Sequence, residues 1–105
     1  MEIIHLYKFL QQNKEFVISK QLLRSATSIG ANAEEGNGAQ TKKEFISKMS
    51  LASKEARETK YWLRLLQKSQ LVSNDYTPYL LTIEQISNIL TRIVKTSQES
   101  LEESK

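Results

Sequence analysis

From Thr41 to Val72 the chain runs without a glycine or a proline, enough for one helix about 45 Å long. Such a helix is stable only if it buries a face along its length, so this run dictates the architecture around it. Thr41-Lys42-Lys43-Glu44 opens it as a capping box, with Thr41 as N-cap and Glu44 reaching back. At about 100° per residue, Phe45, Met49, Ala52, Ala56, Thr59, Leu63 and Leu66 fall on one narrow stripe. That is the inward face of a bundle helix. A second apolar line, Leu51, Trp62 and Leu65, lies roughly 120° away, with Glu44, Glu55 and Glu58 on or beside it. Lys42, Arg57, Lys60, Arg64 and Lys68 occupy the opposite flank.

The remaining segments supply partners. Residues 2–12 read as a short first helix, with Ile3, Tyr7 and Leu10 on one stripe. Longer partners overhang it, so either Met1 sits inside a longer natural helix or the bundle is uneven. A second helix is expected over residues 19–36, with Leu22, Ala26, Ile29 and Ala33 as its apolar stripe. Small residues recur along it (Ser25, Ala26, Ser28, Gly30, Ala31, Ala33) and allow close approach of a neighbour. Gly36-Asn37-Gly38 reads as a stop signal, because Gly and Asn tolerate the left-handed conformation at a helix end. Ser73-Asn74-Asp75 closes the third helix, expected over residues 41–72. Thr77 as N-cap and Pro78 at the first helical position open the fourth, residues 77–98, on the stripe Tyr79, Ile83, Ile86, Leu90, Ile93 and Val94. Beyond Ser97 only Leu101 is apolar, and fraying is expected. Short loops make sequential neighbours antiparallel. The expectation is all-α: an up-down-up-down antiparallel four-helix bundle, one domain over residues 1–105.

Composition limits the chemistry. The absence of cysteine removes disulfides and thiolate metal sites and fits a reducing interior. No apolar run approaches the roughly twenty residues of a membrane helix, and the N-terminus lacks the basic start of a signal peptide. A cytoplasmic protein without membrane contact is expected. His5 is the only histidine, so neither a Glu-x-x-His di-iron pattern nor a Ser-His-Asp arrangement can be assembled; it reads as a surface or interface residue. Gly36-Asn37-Gly38 lacks the Lys-Ser/Thr ending and preceding strand of a phosphate loop. No enzyme, metal or cofactor is expected.

Three features carry the functional alternatives. Arg24, Ser25, Ser28, Asn32 and Glu35 form a polar line along the second helix. It reads either as a hydrogen-bonded seam that fixes register between helices or as a small polar site. Arg57, Lys60, Arg64 and Lys68 recur every three or four residues with no acid on that line. They read either as a solvated face, with intrahelical pairs such as Glu44–Lys48 and Lys54–Glu58 nearby, or as a strip contacting phosphates of RNA or DNA. The net charge of +3 permits such contact without requiring it. The line Leu51, Glu55, Glu58, Trp62 and Leu65 reads as a subunit interface, because it is apolar away from the core stripe. Unlike flanks meeting between copies would close a ring. The alternative is that Trp62 covers the end of the fourth helix.

The motifs also have a family likeness. Leu23-Arg24-Ser25, Ser28-Ile29 and Asn32-x-x-Glu35-Gly36, followed by Lys54-Glu55-Ala56-Arg57-Glu58-Thr59-Lys60-Tyr61-Trp62-Leu63, resemble the patterns of the four-helix-bundle proteins encoded in intervening sequences of bacterial 23S rRNA genes. The resemblance runs from about Leu10 to Thr96. It implies a homopentameric ring of four-helix bundles, with no established biochemical activity for most members. A related branch, the accessory protein of diversity-generating retroelements, partners a reverse transcriptase and binds nucleic acid through a basic ring surface. Members usually have a longer first helix than this chain, and that branch is more basic.

Overall fold

The computed structural model describes residues 2–103. Four helices follow one another: α1 (Ile3–Gln12), α2 (Val17–Asn37), α3 (Lys42–Ser69) and α4 (Thr77–Glu103). No strand occurs among the described residues, and no helix of theirs is long and apolar enough to cross a membrane. α3 packs against both α2 and α4, and α1 packs on α2, in a body 53 × 20 × 17 Å. The four helices share one core, in which Leu6, Leu10, Leu22, Leu63, Leu66, Tyr76 and Ile83 are fully buried. On α3 the inward stripe is Met49, Ala52, Ala56, Thr59, Leu63 and Leu66, all buried, with Phe45 half-buried at its start.

Side chains tie the helices at separate levels. Glu35 of α2 meets Lys48 of α3 at 2.7 Å, and Arg24 meets Glu55 at 3.3 Å and also Glu58. Lys42 of α3 donates to Ser100 of α4 at 2.6 Å, and Lys60 pairs with Glu84. Between α2 and α3, the Thr59 hydroxyl donates to Ser25 Oγ at 2.9 Å, and Ser25 donates to the Leu22 carbonyl at 3.3 Å. Both hydroxyls are buried and both are satisfied, which removes the penalty of enclosing them.

Several helix ends differ from the sequence expectation, each for a local reason. α2 begins at Val17 rather than Ser19, because the Glu15 carboxylate accepts from the amides of Val17, Ile18 and Ser19 at 3.1, 2.9 and 2.6 Å. It satisfies donors that a helix start otherwise leaves open. α2 ends within the Gly36-Asn37-Gly38 stop signal, at Asn37, one residue beyond the expected bound; Gly36 lies inside the helix, buried, and Gly38, the C-cap, has φ −91° and is not left-handed. A Cβ on Gly36 would stand 3.2 Å from Met49 Sδ and 3.3 Å from Lys48 Cβ. Its role is the close approach of α3.

The α3 capping box forms with a shift. The Glu44 amide donates to Thr41 Oγ1 at 3.1 Å, but the Glu44 carboxylate accepts from Gln40 at 3.2 Å, one residue before the expected partner. α3 stops at Ser69, short of Val72, because Gln70 turns left-handed at φ 50°. The Gln70 side chain offsets that strain by donating to the carbonyls of Gln67 and Asn74, at 2.9 and 3.0 Å, and accepting from the Asn74 amide at 3.1 Å. Thr77 is the first residue of α4 rather than its cap; its amide donates to Asp75 Oδ1 at 3.0 Å. Hydrogen bonding from the Thr77 side chain first, and then from its amide, holds the Asp75 carboxyl below the usual carboxylate range. The tail does not fray at residue 98: α4 continues to Glu103, docked by the Lys42–Ser100 bond and half-buried Leu101.

Candidate functional site

The outward line of α3 carries the strongest concentration of charge not used in holding the fold. Arg57, Arg64 and Lys68 are exposed and make no ion pair among the described residues. Helical spacing brings them together: Arg64 follows Arg57 by seven residues and Lys68 follows Arg64 by four, which places them on one face. Lys60, expected on the same strip, is turned toward α4 and paired with Glu84. The hydrogen bond and charge of Lys60, with the charge of Arg64 adding to them, hold the Glu84 carboxyl below its ordinary value. The strip is therefore three free cations and one neutralised one.

Tyr61, which the sequence reading passed over, stands inside this strip. It is 57% exposed. Its ring meets Trp62 edge-on, with centroids 5.0 Å apart and planes at 73°. Trp62 Nε1 donates to Glu58 at 3.2 Å, and Glu58 is held by Arg24. Beside Tyr61 a groove of about 530 Å³ runs between α3 and α4, lined by Arg64, Leu65, Gln67, Lys68 and Leu80. Its size lies within the range of about 300–1,000 Å³ typical of ligand clefts.

The second line of α3 is divided: its carboxylates face α2, whereas Leu65 lines the groove with Leu80 of α4. Glu55 and Glu58 pair with Arg24 of the same chain. Trp62 donates to Glu58 one turn back along the same helix. Leu51 is exposed, and Trp62 and Leu65 are half-buried against their own core. On the polar line of α2, Ser25 reaches Thr59 across the helix pair. Ser28 and Asn32 bond only their own helix, donating to the carbonyls of Arg24 and Ser28 at 2.7 and 2.9 Å. The expected pairs Glu44–Lys48 and Lys54–Glu58 do not form: Lys48 goes to Glu35 and Glu58 to Arg24. His5 is on the surface beside Glu2. Among the described residues no group of three or more His, Cys, Asp or Glu side chains could hold a metal ion.

The chain matches the family model for 23S rRNA-intervening sequence proteins over residues 1–92. It is also similar to the crystal structure of a protein of unknown function from the S23 ribosomal protein family of Bacteroides thetaiotaomicron. That likeness has a TM-score of 0.83 and 46% identity, and covers 89% of this chain and 88% of the other. No curated protein matches.

Proposed function

The chain belongs to the 23S rRNA-intervening sequence protein family, and from that premise we propose that it is a non-enzymatic homo-oligomeric bundle that binds nucleic acid weakly and without sequence preference. The observation that carries this reading is the set of three exposed, unpaired cations on one line of α3, Arg57, Arg64 and Lys68. Cations already engaged by carboxylates contribute little to phosphate binding; free ones release condensed counterions from the strand they neutralise. The bundle is read as up-down-up-down. The cross-helix bonds support this, since residue numbers fall along α3 as they rise along α2 and again along α4.

The test is a salt titration of RNA and DNA binding by the full chain. Three phosphate contacts predict a slope of log affinity against log salt near −2 for single strands, hence about a 20-fold loss between roughly 50 and 200 mM. A larger slope means more than one subunit engages the strand. An absence of binding at low salt removes the reading.

A second reading is a structural or protein-interaction ring without a nucleic-acid role, such as an accessory subunit to a reverse transcriptase. Leu51, Trp62 and Leu65 favour it, because they remain partly uncovered on a side of α3 away from the core stripe. On this reading the ring is taken as a homopentamer, as the family resemblance implies. Sedimentation at micromolar concentration is expected to give a single species of about five copies; a monomer there ends the ring in either reading.

A further inference from the structure

We infer that Tyr61 is a stacking platform for an unpaired base of a single-stranded nucleic acid whose phosphates lie on Arg57, Arg64 and Lys68. This rests on the nucleic-acid reading above and adds to it the class of strand recognised. Tyr61 lies four residues after Arg57 and three before Arg64, so one helical face presents an aromatic ring between cations. The ring is 57% exposed, and its edge-on contact with Trp62 restrains its orientation. That contact is backed by the chain from Trp62 through Glu58 to Arg24. A platform already oriented loses less freedom on binding.

The surroundings suit a base. The groove beside Tyr61 has apolar walls in Leu65 and Leu80 and cations in Arg64 and Lys68. From Arg57 to Lys68 the strip rises about 16 Å along the helix, the reach of a few nucleotides. Phosphates meet the cations while a base enters beside the ring. A duplex can offer only its phosphates, because its base faces are hidden in the stack. Stacking does not read the sugar, so RNA and DNA single strands are bound alike. Each base stacked on an aromatic side chain strengthens binding by about 5- to 100-fold.

The experiment measures fluorescence anisotropy of labelled oligouridine, oligothymidine and a duplex of equal length against the full chain, at about 50 mM salt. Tyr61→Ala and Tyr61→Phe are compared with the parent, and each variant is sedimented. The expected result is that Tyr61→Ala weakens both single strands about 5- to 100-fold and leaves duplex binding unchanged, while Tyr61→Phe retains parental affinity. Unchanged single-strand binding by Tyr61→Ala, with salt dependence intact, overturns the stacking role and leaves the phosphate reading standing. Equal losses for single strand and duplex overturn it too, since the residue then only supports the surface. A change in oligomeric state with Tyr61→Ala overturns it in favour of a second copy as the occupant of the groove. Failure of the parent chain to bind any of the three removes the phosphate reading and this inference together.

Discussion

Truncating Tyr76 to alanine lowers the unfolding free energy by about 3–5 kcal/mol, a large share of the roughly 5–15 kcal/mol available to a domain of this size. The ring is fully buried where α3 hands over to α4. Three bonds converge on this one residue. Its hydroxyl donates to the Val72 carbonyl at 2.7 Å, its amide donates to Gln67 Oε1 at 2.8 Å, and its carbonyl accepts from Leu80 at 3.0 Å to start α4. Alanine keeps the backbone bonds but leaves a cavity and a buried carbonyl without its partner. Tyr76→Phe keeps the volume and loses only the hydroxyl, so about 1–3 kcal/mol is expected. Urea unfolding of the two variants separates packing from hydrogen bonding. Burial first, then the charges of Glu15 and Tyr79, push the Tyr76 phenol above its ordinary value of 10.0. The unfolded chain therefore loses this proton first, and the ring's contribution, complete below pH 10.0, falls as the pH rises beyond it.

Replacing Arg57, Arg64 and Lys68 together by glutamate abolishes nucleic-acid binding while leaving the fold intact. All three are exposed and none is in an ion pair among the described residues, so reversal breaks no salt bridge there, and its internal effect is to remove the Arg64 charge that helps hold down the Glu84 carboxyl. A slope near −2 corresponds, between roughly 1 M and 50 mM salt, to an electrostatic gain of about 10²–10³ in affinity, and that is the loss expected at the lower salt. The converse change is Glu84→Gln. It releases Lys60 from its partner, and a fourth cation steepens the slope by about 0.7 for single strands. Binding isotherms at several salt concentrations report both effects, and unchanged slopes in both variants would place the contact surface elsewhere.

The core of this fold was legible because burial follows a period that a single sequence displays. Met49, Ala52, Ala56, Leu63 and Leu66 stand at helical spacing in a run with no breaker, and all are buried. Helix ends were harder, since they depend on side chains folding back on the backbone. Glu15 lies before the helix, yet its carboxylate accepts from the first amides of α2; Gly36-Asn37-Gly38 does end α2, but Gly36 itself is also a contact point for Met49. The candidate site was partly legible. Arg57, Arg64 and Lys68 share a face by spacing alone, whereas the neutralisation of Lys60 required a carboxylate from another helix. Tyr61 stood one residue from a tryptophan that drew the eye first; only the exposure of its ring distinguishes the two.

α1 spans ten residues where α3 spans twenty-eight. Gln11 bonds Ser19 near the start of α2 at 3.0 Å, and Glu2 shares a surface recess with Tyr79 and Thr82 near the start of α4. The molecule thus has a thick end, where all four helices close around Leu10 and Tyr76, and a thin end, where only three remain and Ile89 lies open. Local opening is expected first where walls are fewest, so amide hydrogen exchange should be faster toward the thin end, despite the Lys42–Ser100 bond, than around Leu10, Tyr76 and the Tyr61 groove.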